Sequence, residues 1–323
     1  KQKTAYEIRL SLVGSEMCIR DRTKTLAYGR RPLLVKLSYA IVLAAILSFA
    51  VKELWQPGGH AAFSAAYGLV PVTVLSLLLV AAQAVTSITS ERDGGMLDVL
   101  LVTDVSPKEF IFGKLLGAAA NTWQFLLPPF VLVAFYAFEG ALTKTPPDAG
   151  PGERLLVNLF PLFAVWSTLA VLFLFALALG LHVALRLINS RLAIANTLGT
   201  IFFICIGTLI CIYLIVINGG SFANQWLSFI AFLVLGIGGL MWVLNGERPS
   251  PALTLAAVFC PLAMFYGITN VLIAKPGTDE SADPLVPAAF LLLSFGFAVW
   301  SMLLPLLTEF DVALGRTTPA SDE

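Results

Sequence analysis

Residues 83–117 read QAVTSITSERDGGMLDVLLVTDVSPKEFIFGKLLG. A polar, charged stretch lies here between two long apolar runs. Gly94-Gly95 closes the first run, because paired glycines are poor helix formers. Met96–Val102, MLDVLLV, is too short to cross a bilayer and too apolar to float free. It fits a short helix lying along a membrane interface with Asp98 toward water. Asp104 and Ser106 then mark a turn. Ser106-Pro107-Lys108-Glu109 has the form of a capping box: Ser106 is the N-cap, Pro107 takes the first helical position, and Glu109 reaches back to the N-cap amide. The next helix enters the bilayer near Lys114. Gly113 and Gly117 lie four apart on one face of it and favour close helix packing there.

Outward from this segment the chain is mainly apolar. Of its 323 residues 58% are hydrophobic and only 12% charged, against about 25% charged in an ordinary soluble domain. Mean hydropathy is +0.86. The charges gather in short islands, and the intervening runs mostly exceed the ~18 apolar residues that mark a spanning helix. A soluble chain with one core has no place to hide that much apolar surface. Eight spans are expected, at about 35–51, 68–89, 115–138, 156–185, 193–217, 226–244, 252–274 and 286–308. Each reads as a helix, since an isolated apolar run satisfies its backbone in lipid only that way. The expected fold class is therefore all-α: a polytopic helical membrane protein of about eight transmembrane helices with a short interfacial helix on the cytoplasmic side.

Local details refine that expectation. The fourth run is long enough that it must tilt or project beyond the bilayer. Only Asn245–Pro251 separates the sixth and seventh runs, as a tight turn or as the tip of a re-entrant hairpin. Pro128-Pro129 is expected to bend the third helix, and Pro261 and Pro305 the seventh and eighth. Residues 1–22, KQKTAYEIRLSLVGSEMCIRDR, lack helical periodicity and resemble a translated sequencing adapter. They are expected to be a non-native scar, with native sequence beginning near Thr23 and the natural N-terminus missing. Residues 23–323 then form one transmembrane domain, without an internal repeat or a separate soluble domain.

Orientation follows from the basic residues. Beyond the scar, one set of alternating segments carries eleven: Lys24, Arg30, Arg31, Lys36, Arg92, Lys108, Lys114, Arg186, Arg191, Arg248 and Arg316. The other set carries four, Lys52, Lys144, Arg154 and Lys275. The first set is expected to face the cytoplasm, together with both native ends and the 90–114 loop. The outward loops, such as 143–153 and 275–284, are rich in Pro, Gly and acidic residues and read as solvated turns.

Several chemistries find no support. Net charge is zero, which gives no reason to expect nucleic-acid binding. Cys205, Cys211 and Cys260 lie in apolar runs and read as small fillers, not as a disulfide or a metal set. His60 and His182 are the only two histidines and make no zinc site. His182 reads as packed or snorkelling near the cytoplasmic end of the fourth helix. A P-loop ending at Gly113-Lys114 would need Gly at 108 and Ser or Thr at 115, where the chain has Lys108 and Leu115. Apart from Lys36 at the very edge of the first span, no Asp, Glu, Lys or Arg falls inside the spans as drawn, which argues against a proton- or sodium-coupled carrier. Asn121 and Gln124, three apart, would share a face of the third helix. They could line a substrate path or serve as interhelical glue.

The run SERDGGMLDVLLVTDVSPKEFIFGKLLG (90–117) resembles the signature of ABC transporter type-2 permeases: an acidic-basic pair, a Gly, a short Leu/Val-rich helix, Thr, a Ser-Pro turn, then Gly-Lys-Leu. The closing FDVALGR (310–316) and the hydropathy agree with such permeases. In that family this loop holds the coupling helix that docks on a cytoplasmic ATPase. The resemblance implies that Glu91, Arg92, Gly95, Leu97, Leu100, Leu101, Thr103, Pro107, Gly113 and Lys114 form it, with Met96 and Asp98 inside the same short helix. It also implies an export permease without enzymatic activity of its own and without a bound cofactor. ATP and Mg would be held by a separate ABC ATPase subunit. The chain would sit in the plasma (inner) membrane and pair with a second permease, the same or different. A membrane scaffold or assembly protein that recruits a soluble partner through the same loop is the alternative.

Overall fold

The computed structural model describes residues 30–55, 61–95, 107–138, 151–217, 226–245, 251–273 and 285–308. Among these residues the regular elements are all helices: α1 Arg30–Trp55, α2 Ala61–Asp93, α3 Pro107–Asn121, α4 Trp123–Phe138, α5 Pro151–Arg186, α6 Ser190–Ile217, α7 Trp226–Asn245, α8 Pro251–Ile273 and α9 Leu285–Thr308. All eight expected apolar segments fall on helices. Four helical stretches are long and apolar enough to cross a membrane: Gly68–Asp93, Pro161–Arg186, Ser190–Ile210 and Val286–Thr308. A fifth arises if α3 and α4, which meet at 64°, are taken as one broken span. The other three expected spans hold shorter apolar stretches, Leu33–Phe49, Phe232–Val243 and Pro251–Gly267. Among the described residues four to five helices are thus long and apolar enough to span, where eight spans were expected. These helices fit an integral membrane protein.

The third expected span is broken ahead of its prolines, by a bend of 64°. α4 runs unbroken through Pro128 and Pro129, and the break falls at Thr122. Thr122 is fully buried, and both its amide and its hydroxyl turn back on α3: the hydroxyl donates to the Ala118 carbonyl at 2.8 Å and to that of Ala119 at 3.2 Å. Its own carbonyl accepts from Phe125 and Leu126 and so starts α4. One residue therefore closes one helix and opens the next, which leaves the backbone polar groups at the corner satisfied as an apolar surrounding demands.

α2 and α5 pack closely where they cross. A Cβ built on Gly180 would lie 2.8 Å from the Ala84 Cβ, 3.0 Å from the Val85 nitrogen and 3.3 Å from the Ala81 carbonyl oxygen. Ala176, Gly180 and Ala184 recur at four-residue spacing on α5 and are all buried. Small side chains at this spacing let two backbones approach until dispersion contacts and packing hold them together. α5 also packs on α9, where Phe175 meets the edge of Phe295 at 5.1 Å between ring centres. Fully buried His182 lies 3.2 Å from the Met302 carbonyl through Nδ1, so it is packed in the interior.

These contacts also set directions. Gly180 faces Ala81–Val85, while Ala184–Ile188 meets Arg92 farther along. Phe175 faces Phe295 and His182 faces Met302. α2, α5 and α9 therefore run in the same direction. Their C-terminal ends gather at one end of the bundle with the N-terminal ends of α3 and α6.

Candidate functional site

The polar segment leaves the helices at that shared end. α2 runs four residues past the expected end of its span and takes in Glu91, Arg92 and Asp93. Gly94 then donates to the Ser90 carbonyl and Gly95 to that of Arg92. Gly95 has φ of +66°, the left-handed conformation that ends helices and that glycine adopts without a Cβ penalty. The chain is described again from Pro107, the first residue of α3, with Glu109 in the first turn. Met96, Leu97, Asp98, Leu100, Leu101, Thr103 and Ser106 lie outside the described residues.

Each of the three charged residues at the end of α2 reaches a different helix. Glu91 accepts from Lys114 of α3, Oε1 to Nζ, at 2.6 Å. The pair is largely buried, with Lys114 3% and Glu91 11% exposed, and the Glu91 Oε2 atom is buried without a hydrogen-bond partner. Arg92 donates through Nη2 to the Ala184 carbonyl and through Nη1 to that of Leu187, and lies 3.4 Å from the Ile188 carbonyl oxygen. These carbonyls close α5 and have no further turn of helix to pair with. A guanidinium satisfies several of them at once, and its charge opposes the negative end of the helix dipole. Asp93 accepts from the Ser190 hydroxyl at the start of α6, Oδ1 to Oγ, at 2.5 Å. Asn189 caps α6: its side-chain oxygen accepts from the Arg191 amide at 3.1 Å, and its carbonyl accepts from Ala193 at 3.0 Å.

Three consecutive residues thus tie α2 to α3, α5 and α6, immediately before the polar segment begins. On the sequence alone Glu91 and Arg92 read as contacts for a partner. In the structure both are engaged within the chain. Asp93 and Ser190 did not stand out in the sequence. The Asn189-Ser190 pair before an apolar run was the available signal, since such residues start helices, but its partner lies 97 positions away.

Other candidates are placed differently from expectation. A Cβ at Gly113 would meet nothing within 4 Å, so no close approach is found at that position, whereas one is found at Gly180. Gly117 is buried on α3. Asn121 ends α3 and Gln124 lies in the first turn of α4, so the 64° break falls between them and the shared face read from their spacing does not hold. Both are half-buried.

A cleft of about 210 Å³ opens between α6 and α7. Asn196, Thr200, Phe203 and Trp242 are among its lining residues, with Gly199 and Gly239 widening it. The Thr200 hydroxyl donates to the Asn196 carbonyl of its own helix at 2.7 Å.

No protein-family model, no curated protein and no solved structure matches this chain.

Proposed function

We propose that the chain is the membrane permease of an ATP-driven exporter and receives its mechanical input through the segment that follows Asp93. The single observation behind the reading is the charged hub at the end of α2. Glu91, Arg92 and Asp93 join α3, α5 and α6 at the point where the ABC-permease-like sequence 90–117 begins. A displacement of the 95–104 segment would be passed to three helices at once, because each of the three residues before it is tied to a different helix. In this reading Met96, Leu97, Asp98, Leu100, Leu101 and Thr103 meet the partner. Glu91 and Arg92 hold the handle to the bundle.

The partner is a cytoplasmic ATPase that binds ATP and Mg. The basic end of the bundle, with Arg92, Lys108, Lys114, Arg186 and Arg191, faces the cytoplasm of a plasma (inner) membrane. All eight apolar helical segments belong to the membrane domain, the shorter ones as partial or tilted spans, and two permeases pair to complete a path.

The test is reconstitution with a candidate ATPase. Replacing 95–104 by a Gly/Ser linker is expected to abolish the stimulation of ATP hydrolysis by the permease while the chain stays folded. Unchanged coupling in that variant removes the reading.

A further inference from the structure

α6 and α7 run antiparallel: a Cβ on Gly207 would meet Phe232, and one on Gly239 would lie against Phe203. The last turns of α7 therefore sit beside the first turns of α6, at the end of the bundle where Asp93 holds Ser190. The cleft of about 210 Å³ opens there. The α6 residues that line it fall inside the apolar stretch Ser190–Ile210, long enough to cross a membrane. At ~1.5 Å per residue, Asn196 is only about 9 Å along from Ser190. Asn196 and Thr200 are the polar lining residues, and Phe203, Leu240 and Trp242 give the walls their apolar bulk. The Thr200 hydroxyl donates within its own helix, whereas no described side chain bonds to the half-buried Asn196 amide. An amide in apolar surroundings is stabilised by a hydrogen-bonding group, which here must come from outside the described chain. One turn before Ala195, at the edge of the same helix face, stands exposed Arg191. Trp242, 73% exposed, has the amphipathic ring that suits the boundary between acyl chains and headgroups.

We infer that this cleft holds one acyl chain of an anionic phospholipid, with Asn196 toward the ester groups and Arg191 toward the phosphate. Volume, walls and charge select this occupant. A whole small molecule is usually enclosed in about 300–1,000 Å³, so this cleft fits part of a longer one. A helix of a second copy is ~10–12 Å across with its side chains, whereas the cleft equals a cube only about 6 Å on edge. On the ends of α2, α3, α5 and α6 gathered here, Arg92, Lys108, Lys114, Arg186 and Arg191 outnumber Glu91, Asp93 and Glu109. Glu91 is paired with Lys114, and Asp93 is engaged by Ser190, which leaves the mouth of the cleft basic. The inference does not use the exporter reading; it needs only that this end of α6 and α7 lies in a bilayer.

The experiment reconstitutes the full chain in phosphatidylcholine vesicles containing a small fraction of phosphatidylglycerol with a photoreactive group on one acyl chain. A phosphatidylcholine probe with the same group is the control, and adducts are mapped by peptide mass. The anionic probe is expected to label residues 195–204 and 239–243 well above the exposed face of α1 at Leu33, Leu37 and Ile41. The control should label both regions alike. Arg191→Gln should lower labelling of the cleft about fivefold, the effect of one basic side chain near an anionic surface, and Arg191→Lys should restore most of it. Gly199→Leu places its side chain in open space and should block labelling by filling the cleft. Arg191 is exposed, so its variants keep the test open if Gly199→Leu fails to fold. Excess inorganic phosphate should leave the labelling unchanged, because the chain and not the headgroup alone holds the lipid. Equal labelling of the cleft and α1 by the anionic probe, equal labelling of the cleft by both probes, or displacement by phosphate overturns the inference. So does unchanged labelling in Arg191→Gln, or a cross-link between two copies in place of a lipid adduct.

Discussion

The α2–α5 crossing and the α6–α7 cleft use the same small residues to opposite effect. At Gly180 the missing side chain lets two backbones meet, and the atoms waiting there are a backbone nitrogen, a carbonyl oxygen and an alanine Cβ. At Gly199 a Cβ would meet nothing within 4 Å, and the position widens a cleft of about 210 Å³. A glycine in an apolar helix is therefore not a packing signal by itself. Its meaning depends on whether a second helix arrives at the gap. The region around α2 and α5 is closed further by polar contacts between helices: Glu91 with Lys114, Arg92 with the end of α5, and Tyr39 with Ser76 at 3.0 Å. The hydroxyl contacts of α6 at Thr200 and Thr208 return to carbonyls of the same helix.

If that contrast is sound, the closed region should be sensitive to loss of its polar ties and the cleft should not. The largest effect is expected from Lys114→Met, which leaves the buried Glu91 carboxylate without its partner. Removing one member of a buried pair costs about 3–5 kcal/mol, read as a lowered unfolding midpoint in detergent micelles. Lys114→Met combined with Glu91→Gln should recover most of the loss, since replacing both members of a buried pair is often near neutral. Equal losses in the single and double variants would show that the pair does not act as a unit.

Gly180→Ala comes next, at about 1–3 kcal/mol, the usual cost of forcing extra volume into a filled site. Its neighbours are backbone atoms that cannot turn aside, so the gain in helix propensity should not compensate. Tyr39→Phe is expected to cost about 0.5–1.5 kcal/mol, through the lost hydroxyl contact between α1 and α2. The edge contact of the ring with Phe125, at 4.9 Å, should survive. The smallest effect is expected from Gly199→Ala, within about 0.5 kcal/mol of the parent or slightly stabilising, because alanine favours a helix and the new methyl enters open space. The same micelle unfolding measurement ranks all four. Losses of similar size for Gly199→Ala and Gly180→Ala would break the comparison.

Much of the fold was legible along the chain. The eight apolar segments lie on helices, Gly95 takes the left-handed turn that ends α2, and Pro107 opens α3. These are local events, decided by solvent, side-chain volume and backbone freedom within a few residues. Where the sequence reading went astray, a partner distant in the chain was involved, or two local causes competed. The third span breaks at Thr122, ahead of its prolines, where the amide and hydroxyl return to the carbonyls of α3 while the carbonyl starts α4. Gly113 has the spacing of a packing motif with Gly117, yet a Cβ there would meet nothing, while Gly180 meets α2 closely because that helix crosses there. Glu91 and Arg92 read as contacts for a partner, since nothing nearby in the chain suggests that Lys114 and the end of α5 engage them.

By itself the sequence determined that the chain is helical, where its apolar segments lie, and that a polar segment interrupts them after Asp93. The reason is that a backbone surrounded by apolar material must satisfy its own hydrogen bonds locally. Only the tertiary structure decided which helices touch, which glycine brings them together, and that Glu91, Arg92 and Asp93 bind α3, α5 and α6. Those contacts join residues 23 to 97 positions apart. No local pattern selects among the many distant groups a charge could meet; only the packing of the bundle does.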